Sequence, residues 1–249
     1  GSDVSPRLAL NYHVRPGHTL RASISEANRM PVLLEEYADT RVQVGPLLRR
    51  ELFSSGNLRP EQIRTLELGY LGSLAQDKLT LDLRLHYDRV EDLIVQTGRI
   101  ASRNGARDFK NAGDLALRGF ETQIKYSPSE HLRLIGNYGF LEIDTRAFNA
   151  AEGLDQAEFE RLNKAMPRHN FGLLGLARFN QQLHGSVGYY KISGADWPGG
   201  SPLPSTTKLD LRLAYRFKLG ANAAEWQFVV QDIRDYVEFE PTNARDMRT

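Results

Sequence analysis

Side-chain alternation between residues 79 and 87 is the feature that most limits how this chain can fold. The apolar residues Leu79, Leu81, Leu83, Leu85 and Tyr87 alternate with Thr80, Asp82, Arg84 and His86. Successive side chains of a β-strand point to opposite faces, so the segment predicts a strand with one apolar and one polar face. Its nine residues are also about the length that a tilted strand needs to cross the hydrocarbon of a membrane.

The same period of two recurs elsewhere, at 120–126, at 209–217 and more weakly at 226–230. We interpret the pattern as about ten strands, predicted at 6–14, 18–26, 62–74, 78–95, 113–127, 131–146, 168–179, 182–194, 206–218 and 224–233. Several of them exceed the roughly five or six residues usual in globular sheets. A half-buried soluble sheet also alternates, so periodicity alone leaves both a membrane barrel and a soluble β protein open.

Short and long connections alternate between the predicted strands. The short turns lie at 15–17, 75–77, 127–130, 180–181 and 220–222, and the long connections at 27–61, 96–112, 147–167 and 195–205. Membrane barrels have short periplasmic turns and long extracellular loops, whereas a β-sandwich gives no reason for this regularity. The sequence therefore favours an all-β, antiparallel up-and-down transmembrane β-barrel, of which these strands form a part.

Aromatic residues near the strand ends fit the two girdles of a membrane barrel. One predicted girdle, near the short turns, contains Tyr12, Tyr126, Phe179, Tyr215, Phe217 and Trp226. The other, toward the long loops, contains Tyr87, Tyr138, Phe140, Tyr189 and Tyr190. A soluble barrel would instead bury its aromatic residues inside.

Composition excludes some classes of function. Lys and Arg number 32 against 31 Asp and Glu, so no net field attracts nucleic acid. No segment approaches the roughly 18 to 20 consecutive apolar residues of a transmembrane helix. The chain has no cysteine, which excludes disulfides and thiolate metal sites. Low mean hydropathy does not exclude a membrane barrel, because every barrel strand carries one polar face.

The chain shows no pattern typical of catalysis. It lacks a G-x-S-x-G nucleophile turn, an H-E-x-x-H motif and a phosphate-binding glycine loop with its lysine. No two of its six histidines have helical metal-ligand spacing, and for His86 we expect a wet, lumen-facing position. We therefore expect no enzyme, no metal site and no cofactor. A short helix is predicted at 154–164, within a long loop.

Four segments, in order, resemble the TonB-dependent receptors. Arg21-Ala22-Ser23-Ile24-Ser25-Glu26-Ala27-Asn28-Arg29-Met30-Pro31 is similar to the strand end and loop start of that family. Asn57-Leu58-Arg59-Pro60-Glu61, followed by Glu67-Leu68-Gly69, resembles its N-x-L-x-P-E and E-L-G patterns. Asn111-Ala112-Gly113 and Gly119-Phe120-Glu121 resemble its N-x-G and G-x-E patterns. Gln231-Asp232-Ile233-Arg234-Asp235-Tyr236 is similar to its N-L-F-D-x-x-Y segment.

The resemblance implies that residues 1–249 form the C-terminal portion of a receptor barrel, without the N-terminal plug domain. Gly1-Ser2 is expected to be a remnant of cloning. In this family a barrel of about 22 strands lies in the outer membrane of a Gram-negative bacterium. It takes up a scarce nutrient with energy from TonB, which acts through the N-terminal region.

For the nutrient, we expect a small-molecule ligand such as a ferric siderophore. Receptors for haem in this family have a histidine between the first two motifs, and residues 32–54 contain none, which disfavours haem. A passive porin-like channel would share all the periodicity and stays an alternative. A soluble all-β binding module is a second alternative.

Arginines cluster in the predicted loops and could hold an anionic ligand, because guanidinium groups match carboxylate or catecholate oxygens bidentately. Aromatic side chains could add contacts. The candidate ligand-binding residues are Tyr37, Arg41, Arg49, Arg50, Arg99, Arg103, Arg107, Tyr190 and Trp197. The same arginines could equally meet lipopolysaccharide phosphates or be solvated, and the aromatic residues could be membrane-interface anchors.

Overall fold

The computed structural model describes residues 4–196 and 202–233, so Trp197 and the end of the last motif lie outside the described residues. The strands are β1 (Arg7–Arg15), β2 (His18–Arg29), β3 (Asp39–Val44), β4 (Leu47–Phe53), β5 (Glu61–Leu74), β6 (Leu79–Gln96), β7 (Phe109–Ser129), β8 (Leu132–Phe148), β9 (His169–Arg178), β10 (Leu183–Ile192), β11 (Ala195–Asp196), β12 (Pro202–Leu203), β13 (Thr206–Leu219) and β14 (Asn222–Val230).

Ten of these strands form one antiparallel sheet in the order β1-β2-β5-β6-β7-β8-β9-β10-β13-β14. They correspond to the ten predicted strands, and the up-and-down fold is confirmed. Within the described residues the sheet does not close, since β1 and β14 each pair along one edge. It is therefore an arc of a barrel. The remaining strands form two separate pairs, β3 with β4 and β11 with β12.

One face of the sheet, the outer face, is apolar. Residues directly opposite each other on neighbouring strands point to the same side. Leu85 lies opposite Leu68 of β5 and Phe120 of β7, and Phe120 lies opposite Phe140 of β8. Leu68 and Leu85 remain 48% and 46% exposed. The predicted leucine row is thus not packed into a protein core, as a membrane-facing surface requires.

The other face, the inner face, is polar. Arg84 lies opposite Gly69 and Glu121, and Asp82 lies opposite Gln123. Asp82, Arg84, Glu121 and Gln123 line a shallow groove on this face, together with Asn137. His86 shares the inner face, as its position in the alternation predicts.

The register corrects one aromatic assignment. Tyr189 lies opposite Leu209 and Leu173 on the outer face, as the upper girdle requires. Tyr190 is its neighbour in the chain and must point to the inner face, so its predicted place in that girdle is wrong. A Cβ added at Gly172 or Gly188 would contact the Tyr190 ring, which covers both inner-face glycines.

Four long connections leave the same end of the sheet: the first loop (30–60), the second loop (97–108), the third loop (149–168) and the fourth loop (193–205). The first contains helix α1 (Leu33–Tyr37), the second a 3-10 turn (Ala101–Arg103), and the third helix α2 (Gln156–Glu160) followed by a 3-10 turn (Arg161–Lys164). The helix predicted at 154–164 is confirmed. Neither helix of the described residues is long and apolar enough to span a membrane.

A buried apolar cluster lies where the third loop returns over the sheet. Asp155 caps α2 by accepting hydrogen bonds from the backbone N–H groups of Ala157 and Glu158. The helix buries Phe159 against Leu115 of β7. This packing covers the loop end of the long strands β6, β7 and β8.

Candidate ligand-binding loops

The first and second loops are joined along their backbones. The N–H of Phe53 donates to the carbonyl of Arg107 over 2.8 Å, and the N–H of Arg107 donates to the carbonyl of Glu51 over 3.0 Å. Leu52 and Arg107 form a parallel β-bridge. Strand β4 therefore continues onto the second loop as a small extension of sheet.

This joint brings the six candidate arginines of the two loops together. The guanidinium groups of Arg50 and Arg103 lie 4.3 Å and 5.6 Å from the centre of the Phe53 ring. Arg99 forms an ion pair with Glu51 at 2.7 Å. Arg41 and Arg50 share the carboxylate of Asp39, and Arg49 lies beside Gly105 of the second loop. We call Arg41, Arg49, Arg50, Arg99, Arg103 and Arg107 the arginine cluster.

The arginine cluster has an excess of positive charge. Residues 39–53 and 97–110 contain seven Arg and Lys but only three Asp and Glu. The hydrogen bond from Arg99 lowers the pKa of Glu51, and that from Arg41 lowers the pKa of Asp39, so both carboxylates are ionised at neutral pH. Even so, more guanidinium groups than carboxylates are present. Such a surface favours an anionic ligand with oxygen donors.

Asp108 is the buried centre of the loop joint and was not among the sequence candidates. Its carboxylate is fully buried and accepts hydrogen bonds from the backbone N–H of Ser55 at 2.9 Å and the Ser55 hydroxyl at 2.7 Å. Arg103 and Lys110 lie 3.0 Å and 3.1 Å from it. Burial by itself raises the pKa of Asp108. The hydrogen bonds from Ser55, Lys110 and Phe109 lower it by more than burial raises it, so the pKa of Asp108 is below its usual range.

The motif residues Arg29, Glu61 and Asn111 attach the first loop to the sheet. Glu61 accepts hydrogen bonds from Arg29 and, at 2.7 Å, from the backbone N–H of Ile94. The Asn111 side chain accepts from the N–H of Arg59 and donates to two carbonyl groups, those of Arg59 and Asp92. Residues of the motifs that resemble the family therefore attach the first loop to the end of the sheet through hydrogen bonds.

A cavity of about 470 Å³ lies between α2 and the end of β6, beside the arginine cluster. Its lining includes Phe159, the cluster residue Arg107, Arg161 and Asp196. The third loop is held next to the second by a hydrogen bond from the N–H of Gly98 to the carbonyl of Gly153. Sequence patterns gave no sign of this cavity, because it depends on how the third loop folds back.

The aromatic candidates are dispersed. Tyr37 ends α1 and is exposed. Tyr190 lies on the inner face of β10. Strands β8 and β9 separate it from β7, which follows the second loop. Trp197 is not described. In the ranges 4–196 and 202–233 no group of His, Asp or Glu could hold a metal ion.

An open antiparallel sheet with an apolar outer face, a polar inner face and cationic loops at one end defines part of a membrane β-barrel of the receptor type. The chain belongs to the family described as TonB dependent receptor-like, beta-barrel, whose sequence profile matches residues 1–231. This confirms the resemblance found in the motifs. The family comprises transport receptors rather than enzymes.

A curated relative is the metal-pseudopaline receptor CntO of Pseudomonas aeruginosa, 29% identical over 172 residues, which are 66% of this chain and 22% of the relative. The ferric-catecholate import receptor Fiu of Escherichia coli K12 superposes with a TM-score of 0.64 at 16% identity, over 91% of this chain and 30% of that one. The siderophore receptor PirA of Acinetobacter baumannii gives 0.61 at 16%, over 88% and 35%. The chain thus spans about a fifth of the curated relative.

Proposed function

We propose that this chain is the C-terminal barrel portion of a receptor in the outer membrane of a Gram-negative bacterium. The receptor takes up an anionic metal chelate, in the first instance a ferric siderophore, with energy supplied by TonB. A plug domain and the segment that contacts TonB belong to the rest of the protein in this proposal. Relatives named as receptors for metal-pseudopaline and for ferric catecholates support it.

The observation that carries the proposal is the arginine cluster at the loop end of the sheet. Three of its guanidinium groups belong to the β3–β4 hairpin of the first loop and three to the second loop. In residues 39–53 and 97–110 the cationic side chains outnumber the carboxylates. Ferric siderophores present carboxylate, catecholate or hydroxamate oxygens, and bidentate guanidinium contacts suit such oxygens. In this proposal lipid contacts the apolar outer face, so the loops lie at one side of the membrane, where a ligand arrives from water.

The proposal is tested by uptake of radiolabelled iron into iron-starved cells that carry the full-length receptor. The ligands are ferric catecholate, hydroxamate and carboxylate siderophores and the metal complexes of pseudopaline. For the ligand that is taken up, the double variant Arg49→Gln, Arg107→Gln is expected to raise Kd by roughly a hundredfold or more, because each of the two lost charge-assisted hydrogen bonds weakens binding by roughly 1.5 kcal/mol. Arg133→Gln, at the short-turn end, serves as the matched control.

Collapse of the proton motive force separates this proposal from a passive channel. An energised receptor stops accumulating ligand when the force is lost, whereas a porin-like channel continues to equilibrate it. Uptake that survives the collapse, or a Kd that the double variant leaves unchanged for every ligand, would contradict the proposal.

A further inference from the structure

On five neighbouring strands, the side chains of the outer face change from apolar to charged near the loop end of the sheet. The pairs, each two residues apart, are Ile24 and Glu26 on β2, Leu66 and Arg64 on β5, Tyr87 and Arg89 on β6, Phe120 and Arg118 on β7, and Phe140 and Glu142 on β8. Cross-strand pairing places Glu26 opposite Arg64, Arg64 opposite Arg89, and Arg118 opposite Glu142. Between β6 and β7 the register steps, since Arg89 lies opposite Ala116 and Arg118 lies opposite Tyr87, so the charges form two adjoining groups along the top of the apolar surface.

Ion pairs join the members of each group of charges. Glu26 accepts a hydrogen bond from Arg64 at 3.0 Å, and Glu91 forms ion pairs with Arg64 at 3.8 Å and with Arg89 at 2.9 Å. Glu142 is shared by Arg118 at 2.6 Å and Arg168 at 3.1 Å. We call these side chains the outer charged row: Glu26, Arg64, Arg89, Glu91, Arg118, Glu142 and Arg168.

In the outer charged row the guanidinium groups lie outermost. The four arginine side chains are between 52% and 56% exposed, whereas the three glutamates are between 25% and 31% exposed. A guanidinium group has more N–H donors than one carboxylate can accept. Arg64 and Arg89 each pair with two carboxylates, Arg89 with Glu91 and, at 3.9 Å, with Asp114, whereas Arg118 and Arg168 share the single carboxylate of Glu142. Arg118 and Arg168 therefore retain N–H donors for a further acceptor.

The depth of the row identifies its surroundings. The alternating segment from Leu79 to Tyr87 is nine residues long, which is about what a tilted strand needs to cross the hydrocarbon. Arg89 is the next residue of β6 that points to the outer face. Charges within the hydrocarbon are costly, so the row lies at the headgroup level on the loop side. In a Gram-negative outer membrane that leaflet consists of lipopolysaccharide, whose lipid A part carries phosphate groups.

We propose that the outer charged row is a binding site for the phosphate groups of lipopolysaccharide. The proposal rests on the outer-membrane location given under the proposed function. Arginine recognises phosphate through paired N–H donors, and partial exclusion of water at the membrane surface strengthens such contacts. The row is separate from the arginine cluster, which lies on the loops and not on the lipid-facing strands.

The test uses the full-length receptor purified in detergent and titrated with lipid A, with and without its phosphates, by native mass spectrometry. The wild-type receptor is expected to bind the phosphorylated form more tightly. The double variant Arg89→Gln, Arg118→Gln is expected to lose about tenfold in affinity for that form. The matched control, Arg84→Gln with Arg133→Gln, removes two inner-face arginines from β6 and β8 and should keep the preference.

A second variant makes the test independent of whether the double variant folds. Glu142→Gln removes the carboxylate that Arg118 and Arg168 share but leaves both guanidinium groups, so binding of phosphorylated lipid A should stay or increase. Equal binding of both lipid forms, equal losses in the inner-face control, or loss in Glu142→Gln would overturn the inference. A receptor that takes up its ligand yet ignores the phosphates would overturn this inference alone, whereas a receptor absent from the outer membrane would overturn the proposed function.

Discussion

Asp108 links the first and second loops through contacts that a neutral side chain cannot replace. The carboxylate is fully buried, and two cations, Arg103 and Lys110, lie within ion-pair distance. Asp108→Asn would leave both cations uncompensated, which we expect to weaken loop attachment by roughly 3 kcal/mol. Hydrogen exchange in residues 30–60 should accelerate while the sheet strands keep their protection. The exposed carboxylate of Asp39 is the control, and Asp39→Asn should leave exchange nearly unchanged; equal effects would contradict the role given to Asp108.

The lowered pKa of Asp108 predicts how the attachment of the loops changes at acidic pH. Because the pKa of Asp108 is lowered in the folded protein, its stabilising effect is present above the ordinary carboxyl pKa and is lost as pH falls through the lowered value. Glu51 and Glu152 also have lowered pKa values, through hydrogen bonds from Arg99 and Ser102, and act in the same direction. A spin label at Gln43 should stay immobile from pH 7 to about 5 and become mobile below about 4.

Release of that label near pH 6 would contradict the carboxylate explanation and would implicate a histidine instead. In the Asp108→Asn protein the label should already be partly mobile at neutral pH. The further change on acidification should be smaller there, since one of the contributing carboxylates has been removed.

At the scale of single elements, the bulged end of β6 and β7 depends on one glycine. Gly113 has φ +152°, a region that side chains rarely adopt, and a Cβ there would collide with the carbonyl of Ala147. Gly113→Ala should therefore destabilise the barrel by roughly 2 kcal/mol or more. Gly136→Ala on β8 is the matched control, because a Cβ there meets nothing within 4 Å. Thermal unfolding in detergent measures both, and equal midpoints would show that the bulge tolerates a side chain.

The ten long strands could be predicted from sequence because alternation is a local property that each strand shows by itself. The hairpin of β3 and β4 could not, since β4 is held by the bridge from Leu52 to Arg107 in another loop. The arginines of the candidate site were found by clustering in sequence, but the contact of Arg50 and Arg103 with the Phe53 ring and the burial of Asp108 depend on tertiary structure. Tyr190 was misassigned although period two forbids adjacent residues from sharing a face.

At the scale of the whole molecule, the stability of the sheet depends on lipid at its outer face and on partners for its edge strands. Its outer face leaves leucines about half exposed, and within residues 4–196 and 202–233 the edge strands β1 and β14 have unpaired sides. Open edges and a broad apolar face promote aggregation in water. Lipid against the outer face and a closed barrel remove both problems together.

A pair of charge insertions at equal depth tests which face meets lipid. Leu83 lies on the outer face midway along the apolar band, and Gln123 lies on the inner face of the next strand, one cross-strand position away. Leu83→Arg places a charge in hydrocarbon and should reduce the folding free energy of the full-length receptor in bilayers by roughly 2 to 4 kcal/mol. Gln123→Arg faces water near Asp82 and should change it little. Denaturant titration of both variants in lipid vesicles gives the comparison, and a larger loss for Gln123→Arg would reverse the assignment of the two faces.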